Sequence, residues 1–387
     1  MQKKICVLTA TRAEYGLLRS VIKKLSEDKY FDVKIVATGA HLSPDHGLTY
    51  KEIEADGFLI DKKIEILLGS DTPSSISKSI GLAMIGFADY FLESKPDGLI
   101  VLGDRYETLA VCIAAMNAQI PIFHLYGGET TEGAIDEAIR HSITKMSYLH
   151  FTTTQAYRNR VIQLGESPDR VFAVGATGVE NILSESLMSK SELEDSISFK
   201  LDKDFAVVTF HPVTLEDSSA ESQIKELLSA LDYFKNFKFI ITKANADANG
   251  RIINKYLDDY SKTNKNTIVI DSLGMKRYLS ALKYAKLVIG NSSSGIVEVP
   301  SFKIPTVNIG DRQKGRIQAK SIINCEPEKE DIISAIKKAL SVEFLLDIKT
   351  CENPYQGENS SYKIVKYIKE FFENNKIDLK KKFYDIS

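Results

Sequence analysis

Acid–base chemistry needs carboxylates and histidines delivered to one place, and the stretch from Val101 to Met146 is rich in both. It carries Asp104, Glu107, His124, Glu129, Asp136, Arg140 and His141. The apolar runs IVL before Gly103 and IPIFHL before Gly127 predict two buried parallel strands that release their polar residues at their C-terminal ends. Open α/β sheets place their ligands at those ends. Taken singly, each of these residues reads equally well as a helix cap or half of an ordinary ion pair.

A second set lies in the other half of the chain. The segment GNSSSGIVEV, Gly290 to Val299, follows an apolar run and predicts a tight turn into a helix starting near Gly295. The hydroxyls of Ser292, Ser293 and Ser294 and the free N–H groups of that turn suit an anion, and Glu298 could accept from vicinal ribose hydroxyls. Simple serine capping is the competing explanation. GDRQKGR adds Arg312, Lys314 and Arg316, cations that fit a diphosphate or a plain solvated loop. His211, in TFHPVT, ends another apolar strand and has a donor suited to a phosphate or leaving oxygen.

These groups need a scaffold, and the pattern of strands and helices supplies one. Strands are expected at 5–9, 31–37, 98–102, 121–125, 150–153 and 171–174, with helices between them, among them 15–25 and about 134–146. The polar stretch 185–204 reads as a surface helix and linker. The pattern then restarts with strands at 205–210, 238–242, 267–270, 287–289 and 306–309. The fold class is therefore α/β, with two Rossmann-like parallel-sheet domains facing a cleft: residues 1–178 with the carboxylates and most histidines, and residues 179–359 with the candidate diphosphate site. A helix from about 360 and a lysine-rich end complete the chain, packing back on the first domain, across both, or on the surface. The first strand–helix turn, TATRAEYG at residues 9–16, reads as a loop up to Gly16, with bulky Arg12 where a dinucleotide fingerprint needs glycine, which argues against NAD or FAD. His41 and His46 flank Asp45 with a spacing that matches no common zinc pattern.

Composition sets the outer bounds. The 387 residues are 43% hydrophobic and 26% charged, with a net charge of -2, which gives no electrostatic footprint for nucleic acid or acidic membranes. The four cysteines are far apart and mostly in apolar runs, as reduced core thiols are, so a cytoplasmic location is the default. The N-terminus has no export-signal pattern, and no apolar window is long enough to span a membrane.

TATRAEYG, VLGDRYETL, HLYGGETTEGAIDEAIRHSITKMS, FHPVT, GNSSSGIVEVP and IGDRQKGR, in this order, resemble the hydrolysing UDP-N-acetylglucosamine 2-epimerases of bacterial sialic acid synthesis. The resemblance runs from residue 5 to about 320. It implies a fold of the glycosyltransferase B type, no metal and no cofactor, and conversion of UDP-N-acetylglucosamine and water to N-acetylmannosamine and UDP by anti elimination to a 2-acetamidoglucal and rehydration. It also implies a UDP-sugar as partner and a homo-oligomer, dimer or tetramer. Matched motif by motif, it makes Asp104, Glu129 and Asp136 the carboxylates near the sugar, with Arg140 orienting Asp136 or the substrate. His211 and Arg12 become diphosphate or leaving-group contacts. Ser292, Ser293, Gly295 and Glu298 become the UDP grip, with Asn291, Ser294, Arg312 and Tyr126 in the same substrate-binding set.

One departure is visible. Many members of the family carry a catalytic glutamate in HxEGGE where this chain has Tyr126, and Glu129 to Asp136 is one residue longer. Related enzymes with the RAEYG and GGE features act on UDP- or GDP-linked 2,4-diacetamido sugars, so that substrate stays open beside UDP-N-acetylglucosamine. A glycosyltransferase of the same fold and a non-catalytic nucleotide-sugar-binding regulator also stay open.

Overall fold

Apolar runs too short for helices and bounded by small or polar residues become strands buried on both faces, and such strands require helices on each side. A computed structural model describes residues 2–70, 72–132, 134–213, 219–244, 250–374 and 377–386. The chain forms two units: Met1–Glu129, Asp136–Asn181 and Tyr355–Ser387 in the first, Thr130–Ile135 and Ile182–Pro354 in the second.

The first unit is built on β1 (Lys3–Thr9), β2 (Phe31–Thr38), β3 (Ile60–Ile64), β4 (Gly98–Leu102), β5 (Ile122–Leu125), β6 (Leu149–Thr152) and β7 (Val171–Ala173). They form one seven-stranded sheet in the order β3-β2-β1-β4-β5-β6-β7, with every neighbouring pair parallel. The second unit repeats the plan with β8 (Phe205–Thr209), β9 (Lys238–Thr242), β10 (Thr267–Ile270), β11 (Leu287–Gly290), β12 (Thr306–Ile309) and β13 (Ile322–Cys325). Their order is β10-β9-β8-β11-β12-β13, again all parallel. Both sheets are Rossmann-like. In each, the chain starts in the middle, winds outward, returns and winds the other way, so the crossovers part between β1 and β4 and between β8 and β11.

The core follows from side-chain alternation. Cys6 and Leu8 of β1 point to the face covered by the Pro73–Ser94 and Tyr106–Asn117 helices, packing with Phe87, Phe91, Val111 and Cys112. In the second unit, Val208 and Ile241 meet the Ser219–Leu231 and Gly250–Thr263 helices, while Val207 and Ile240 meet the Lys190–Ile197 and Gly274–Tyr284 helices.

Several local expectations are corrected. The first helix is Arg12–Glu27, not 15–25, because Thr11 and Glu14 form a reciprocal capping box that starts it four residues before Gly16. The helix expected from about 134 begins at Asp136. Strands β3 and β13 were not expected; both are edge strands with exposed positions, so neither shows a continuous apolar run. The long Pro73–Ser94 helix also went unread, and it carries exposed Leu82, Ile85 and Leu92 that blur its helical period.

The C-terminal segment belongs to the first unit. The Ser360–Glu373 helix lays Phe372 against Phe123, with ring centroids 5.9 Å apart, and stacks Tyr367 on Phe172 at 4.0 Å. Beyond it, the Lys381 ammonium bonds buried Glu166 at 2.7 Å and the Ser147 carbonyl at 2.6 Å, and the Tyr384 N–H reaches the Gly165 carbonyl at 2.9 Å. No helix among the described residues is long and apolar enough to cross a membrane.

Ile368, on the sheet-facing side of the Ser360–Glu373 helix, is fully buried. Ile368→Ala is expected to destabilise the first unit by about 2–5 kcal/mol in urea unfolding. A change below about 1 kcal/mol would mean that this helix is not part of the core.

Candidate active site

In the first unit the polar groups collect where the crossovers part, at the ends of β1 and β4 and along the neighbouring edge of β5. Arg140 is their centre. Its side chain is 1% exposed, on the Asp136–Met146 helix. It pairs with the Asp104 carboxylate just after β4, with Glu137 at 2.7 Å, and donates to the Glu129 carbonyl at 3.0 Å. A guanidinium out of water is tolerated only with its donors satisfied, and these partners tie three chain segments to one point. The Glu129 carboxylate, also buried, accepts from the Thr153 hydroxyl at 2.8 Å. Asp104, Glu129 and Arg140 are thus brought together, while Asp136 opens the helix that carries Arg140.

The histidines of this stretch are structural in different degrees. The Gly103 carbonyl can only accept, so His124 carries its proton on Nε2 and donates at 2.8 Å, while Nδ1 accepts from the Thr144 hydroxyl at 3.2 Å. Burial above all pulls its pKa to about 3, so it stays neutral and holds β5 to the end of β4. His141 lies 3.1 Å from Glu137. His41 spends both ring nitrogens on threonine hydroxyls, Thr9 and Thr49, each at 2.8 Å; burial and then the Arg12 charge lower its pKa to about 4.

Two groups were missed by sequence reading. Arg105 pairs with fully buried Glu107 at 3.2 Å. Glu14, on the first turn of the Arg12–Glu27 helix, accepts from the N–H groups of Ala10 at 2.8 Å and Thr11 at 3.2 Å. Its other oxygen, Oε1, is buried without a partner. Thr-x-x-Glu after an apolar strand was the available signal for the capping box. Arg12 is the first residue of that helix and half-buried, not a loop residue.

The second unit presents a different chemistry at the equivalent place. His211 follows β8 and Asn291 follows β11, the two strands between which the crossovers part. They lock reciprocally: the His211 N–H donates to Asn291 Oδ1 at 2.7 Å, and Asn291 Nδ2 donates to the His211 carbonyl at 2.8 Å. Arg312 and Gln313 both donate to the Asn291 carbonyl, at 3.1 and 2.9 Å. Gly290 is obligatory, because at φ +132 a Cβ would sit 1.9 Å from the Thr209 carbonyl oxygen. Thr214, which ends the FHPVT motif, lies outside the described residues.

The serine turn corrects an expectation. The helix starts at Ser293, not near Gly295, and spans only Ser293–Val297. Ser292 is its N-cap, accepting from the Ser294 N–H at 3.4 Å, and the Ser294 hydroxyl bonds Tyr278 at 2.7 Å. Ser293 is exposed. Glu298 is the C-cap of this single turn and is buried, so it stands past the helix and not within it. One turn has little macrodipole, which leaves individual N–H and hydroxyl donors as the means of holding an anion.

Glu14 makes a titration testable. Burial, opposed by Arg105 and aided by Glu107, lifts its pKa from 4.5 to about 7. Between those values the folded chain holds a proton that the unfolded chain has lost. The stability from this group is therefore full below about pH 4.5 and is lost as pH rises through about 7. Glu14→Gln keeps the acceptor for the two N–H groups and cannot ionise. It is expected to gain stability over the wild type as pH rises across that window, by on the order of a few kcal/mol. Urea midpoints that run parallel in the two proteins from pH 4.5 to 8 would contradict this.

Comparison with known proteins gives the family. Residues 23–369 match the family model described as UDP-N-acetylglucosamine 2-epimerase. The chain is 48% identical over 344 residues, 89% of each chain, to the GDP/UDP-N,N'-diacetylbacillosamine 2-epimerase (hydrolyzing) of Campylobacter jejuni. It is 43% identical over 385 residues to the polysialic acid biosynthesis protein P7 of Escherichia coli, covering 99% of this chain and 98% of that one. Its fold matches the crystal structure of the Neisseria meningitidis UDP-GlcNAc 2-epimerase bound to UDP-GlcNAc, with a TM-score of 0.80 at 19% identity, over 95% of this chain and 100% of that one. With a matched family model spanning nearly the whole chain, two Rossmann-like sheets and acid–base groups gathered at strand ends, the chain belongs to the UDP-N-acetylglucosamine 2-epimerase family and is a hydrolysing 2-epimerase of nucleotide-linked amino sugars.

Proposed function

We propose that the substrate is a UDP- or GDP-linked 2,4-diacetamido-2,4,6-trideoxyhexose, N,N'-diacetylbacillosamine, released as its 2-epimer. The observation that carries this reading is the 48% identity to the Campylobacter jejuni enzyme named for that sugar. A second reading, UDP-N-acetylglucosamine to N-acetylmannosamine, draws support from the full-length likeness to a polysialic acid biosynthesis protein.

In either case the chemistry asked of the residues is the same. A carboxylate takes the C2 proton as the C1–O bond breaks, and the bonding pair leaves with the nucleoside diphosphate, giving a 2-acetamidoglycal. Water then adds at C1 while a proton is delivered to the opposite face of C2. We assign Asp104, Glu129 and Asp136 to the sugar. Arg140 is the positioning residue that fixes the Asp104 carboxylate and the Glu129 backbone together. Arg12 and His211 face the departing diphosphate in this reading. Asn291, Ser292, Ser293, Ser294, Gly295 and Arg312 hold the phosphates, and Glu298 the ribose. Tyr126 is retained as a substrate-side residue only through its backbone turn.

Incubation with UDP-N-acetylglucosamine, UDP-diacetylbacillosamine and GDP-diacetylbacillosamine in deuterated water, followed by proton and phosphorus NMR, tests the assignment. The expected result is release of nucleoside diphosphate with a C2-deuterated 2-epimer, and kcat/KM at least about tenfold higher for a diacetamido substrate. Equal or faster turnover of UDP-N-acetylglucosamine selects the second reading.

Asp104→Asn is expected to cut kcat by at least about a hundredfold with the fold intact, since it keeps an acceptor for Arg140 and loses the base. Near-normal turnover would take Asp104 out of the reaction. Glu298→Ala is expected to weaken nucleotide binding by about tenfold with kcat little changed, measured by UDP titration calorimetry; unaltered affinity removes the ribose role.

A further inference from the structure

The stretch that joins Glu129 to Asp136 does not stay with the unit that holds those two carboxylates: Thr130–Ile135 is part of the second unit. There the Glu132 N–H donates to the Lys314 carbonyl at 3.3 Å. Lys314 and Gly315 are the middle of a turn that the Arg316 N–H closes on the Gln313 carbonyl at 3.3 Å. With Lys314 at φ -58, ψ 140 and Gly315 at φ +82, this is a type II turn, which by itself calls for glycine at its third position. A second constraint acts on the same residue. A Cβ on Gly315 would overlap Cγ2 of buried Thr130 and lie 2.6 Å from Glu132 Oε1.

One peptide bond connects this contact to the acid–base groups. The carbonyl of the Glu129–Thr130 peptide accepts from Arg140 at 3.0 Å, and the same guanidinium holds Asp104. A peptide is planar, so the direction of that carbonyl and the position of the Thr130 Cα are set together. Moving Thr130 off the turn swings the Glu129 carbonyl against Arg140, and so disturbs both the Glu129 carboxylate and the Asp104 carboxylate paired with that guanidinium. We propose that Gly315 is a positioning residue for the reaction: by letting Thr130 seat on its bare backbone, it fixes the Glu129–Thr130 peptide and the geometry of Glu129 and Asp104. The loop that anchors Asn291 through Arg312 and Gln313 thus has a second task, carried out on the other unit through the chain itself. This rests on the reading that Glu129 and Asp104 act on the sugar.

Kinetics on whichever of the three nucleotide sugars named above turns over fastest, with calorimetric titration of its nucleoside diphosphate, test the proposal. Gly315→Ala is expected to lower kcat at least about tenfold while the diphosphate Kd stays within about threefold. Adding Thr130→Ser removes the methyl that the new Cβ meets and leaves the strain of the turn in place. Recovery of kcat by at least about fivefold in that double variant therefore reads the contact alone. Thr130→Gly, at a residue outside any helix or strand, opens the same contact from the other side. It is expected to lower kcat about fivefold with Kd unchanged, and it decides the matter if Gly315→Ala does not fold. Glu129→Gln, which keeps an acceptor for Thr153, is expected to cut kcat at least about a hundredfold. Near-normal turnover of Glu129→Gln removes the acid–base reading and the positioning role with it. With Glu129→Gln inactive, three results overturn the positioning role alone: wild-type kcat in Gly315→Ala, a joint fall of kcat and affinity that Thr130→Ser does not relieve, or wild-type kcat in Thr130→Gly.

Discussion

A guanidinium that cannot reach water dictates the layout of the first unit. Arg140 is satisfied by a carboxylate from the end of β4, a carbonyl from the turn after β5 and a carboxylate on its own helix. Removing any of these would leave a buried charge short of a partner, a penalty of about 3–5 kcal/mol when a paired buried ion is orphaned. The geometry of Asp104 relative to Glu129 is therefore a by-product of solvating one cation. Loops at the strand ends thereby acquire the stiffness of the elements they join.

The two sheets solve the same topological problem and spend the solution differently. Where crossovers part, strand ends are left uncovered, and whatever follows the strand is on display. In the first unit those positions are filled by ionisable groups: Glu14 after β1, and Asp104, Arg105 and Glu107 after β4. In the second they are filled by His211 and by neutral donors, with Asn291 clamping the His211 backbone and in turn anchored by Arg312 and Gln313. Ionisable groups packed closely shift one another's proton affinity, as Arg105 and Glu107 do to Glu14. Neutral donors fixed by backbone bonds hold charge without exchanging protons.

Legibility in the sequence tracked burial. Central strands were readable because burial on both faces demands unbroken apolar runs: β4, β9 and β12 fall on the expected residues, and the edge strand β10 was legible as well because its TIVI run is apolar after Thr267. Edge strands β3 and β13 escaped because one side is wet. The Arg140 partners escaped for another reason. Sequence spacing points to Asp136, one turn away, and gives no hint of Asp104, which is 36 positions distant and comes near through the β4–β5 pairing. Glu14 was hidden in plain sight: Thr11 and Glu14 form a capping box, but the bulky TATRAE string was read for what it denies a dinucleotide instead of for the helix it begins.

The turn HLYGGE, where the family resemblance leads to the expectation of a glutamate and the chain has Tyr126, has a physical explanation. Tyr126 sits at φ +68, unfavourable for a bulky residue, and is buried there. Its hydroxyl pairs with Thr177 at 3.1 Å and accepts from the Gly178 N–H at 3.3 Å, at the start of the Thr177–Ser184 helix. Its own N–H extends the β5–β6 ladder by bonding the Phe151 carbonyl at 2.9 Å. Gly128, two residues on, passes so close to the next helix that a Cβ would lie 2.4 Å from the Tyr157 carbonyl oxygen. The turn is thus pinned at both ends, by a tyrosine to one helix and by a bare backbone against another. A side chain committed to that pinning is not available for proton transfer. The carboxylate nearest in the same turn, Glu129, is the one whose backbone Arg140 holds and whose side chain Thr153 orients. Tyr126 and Gly128 therefore fix the turn that leads into Glu129, whose carboxylate is oriented separately by Thr153.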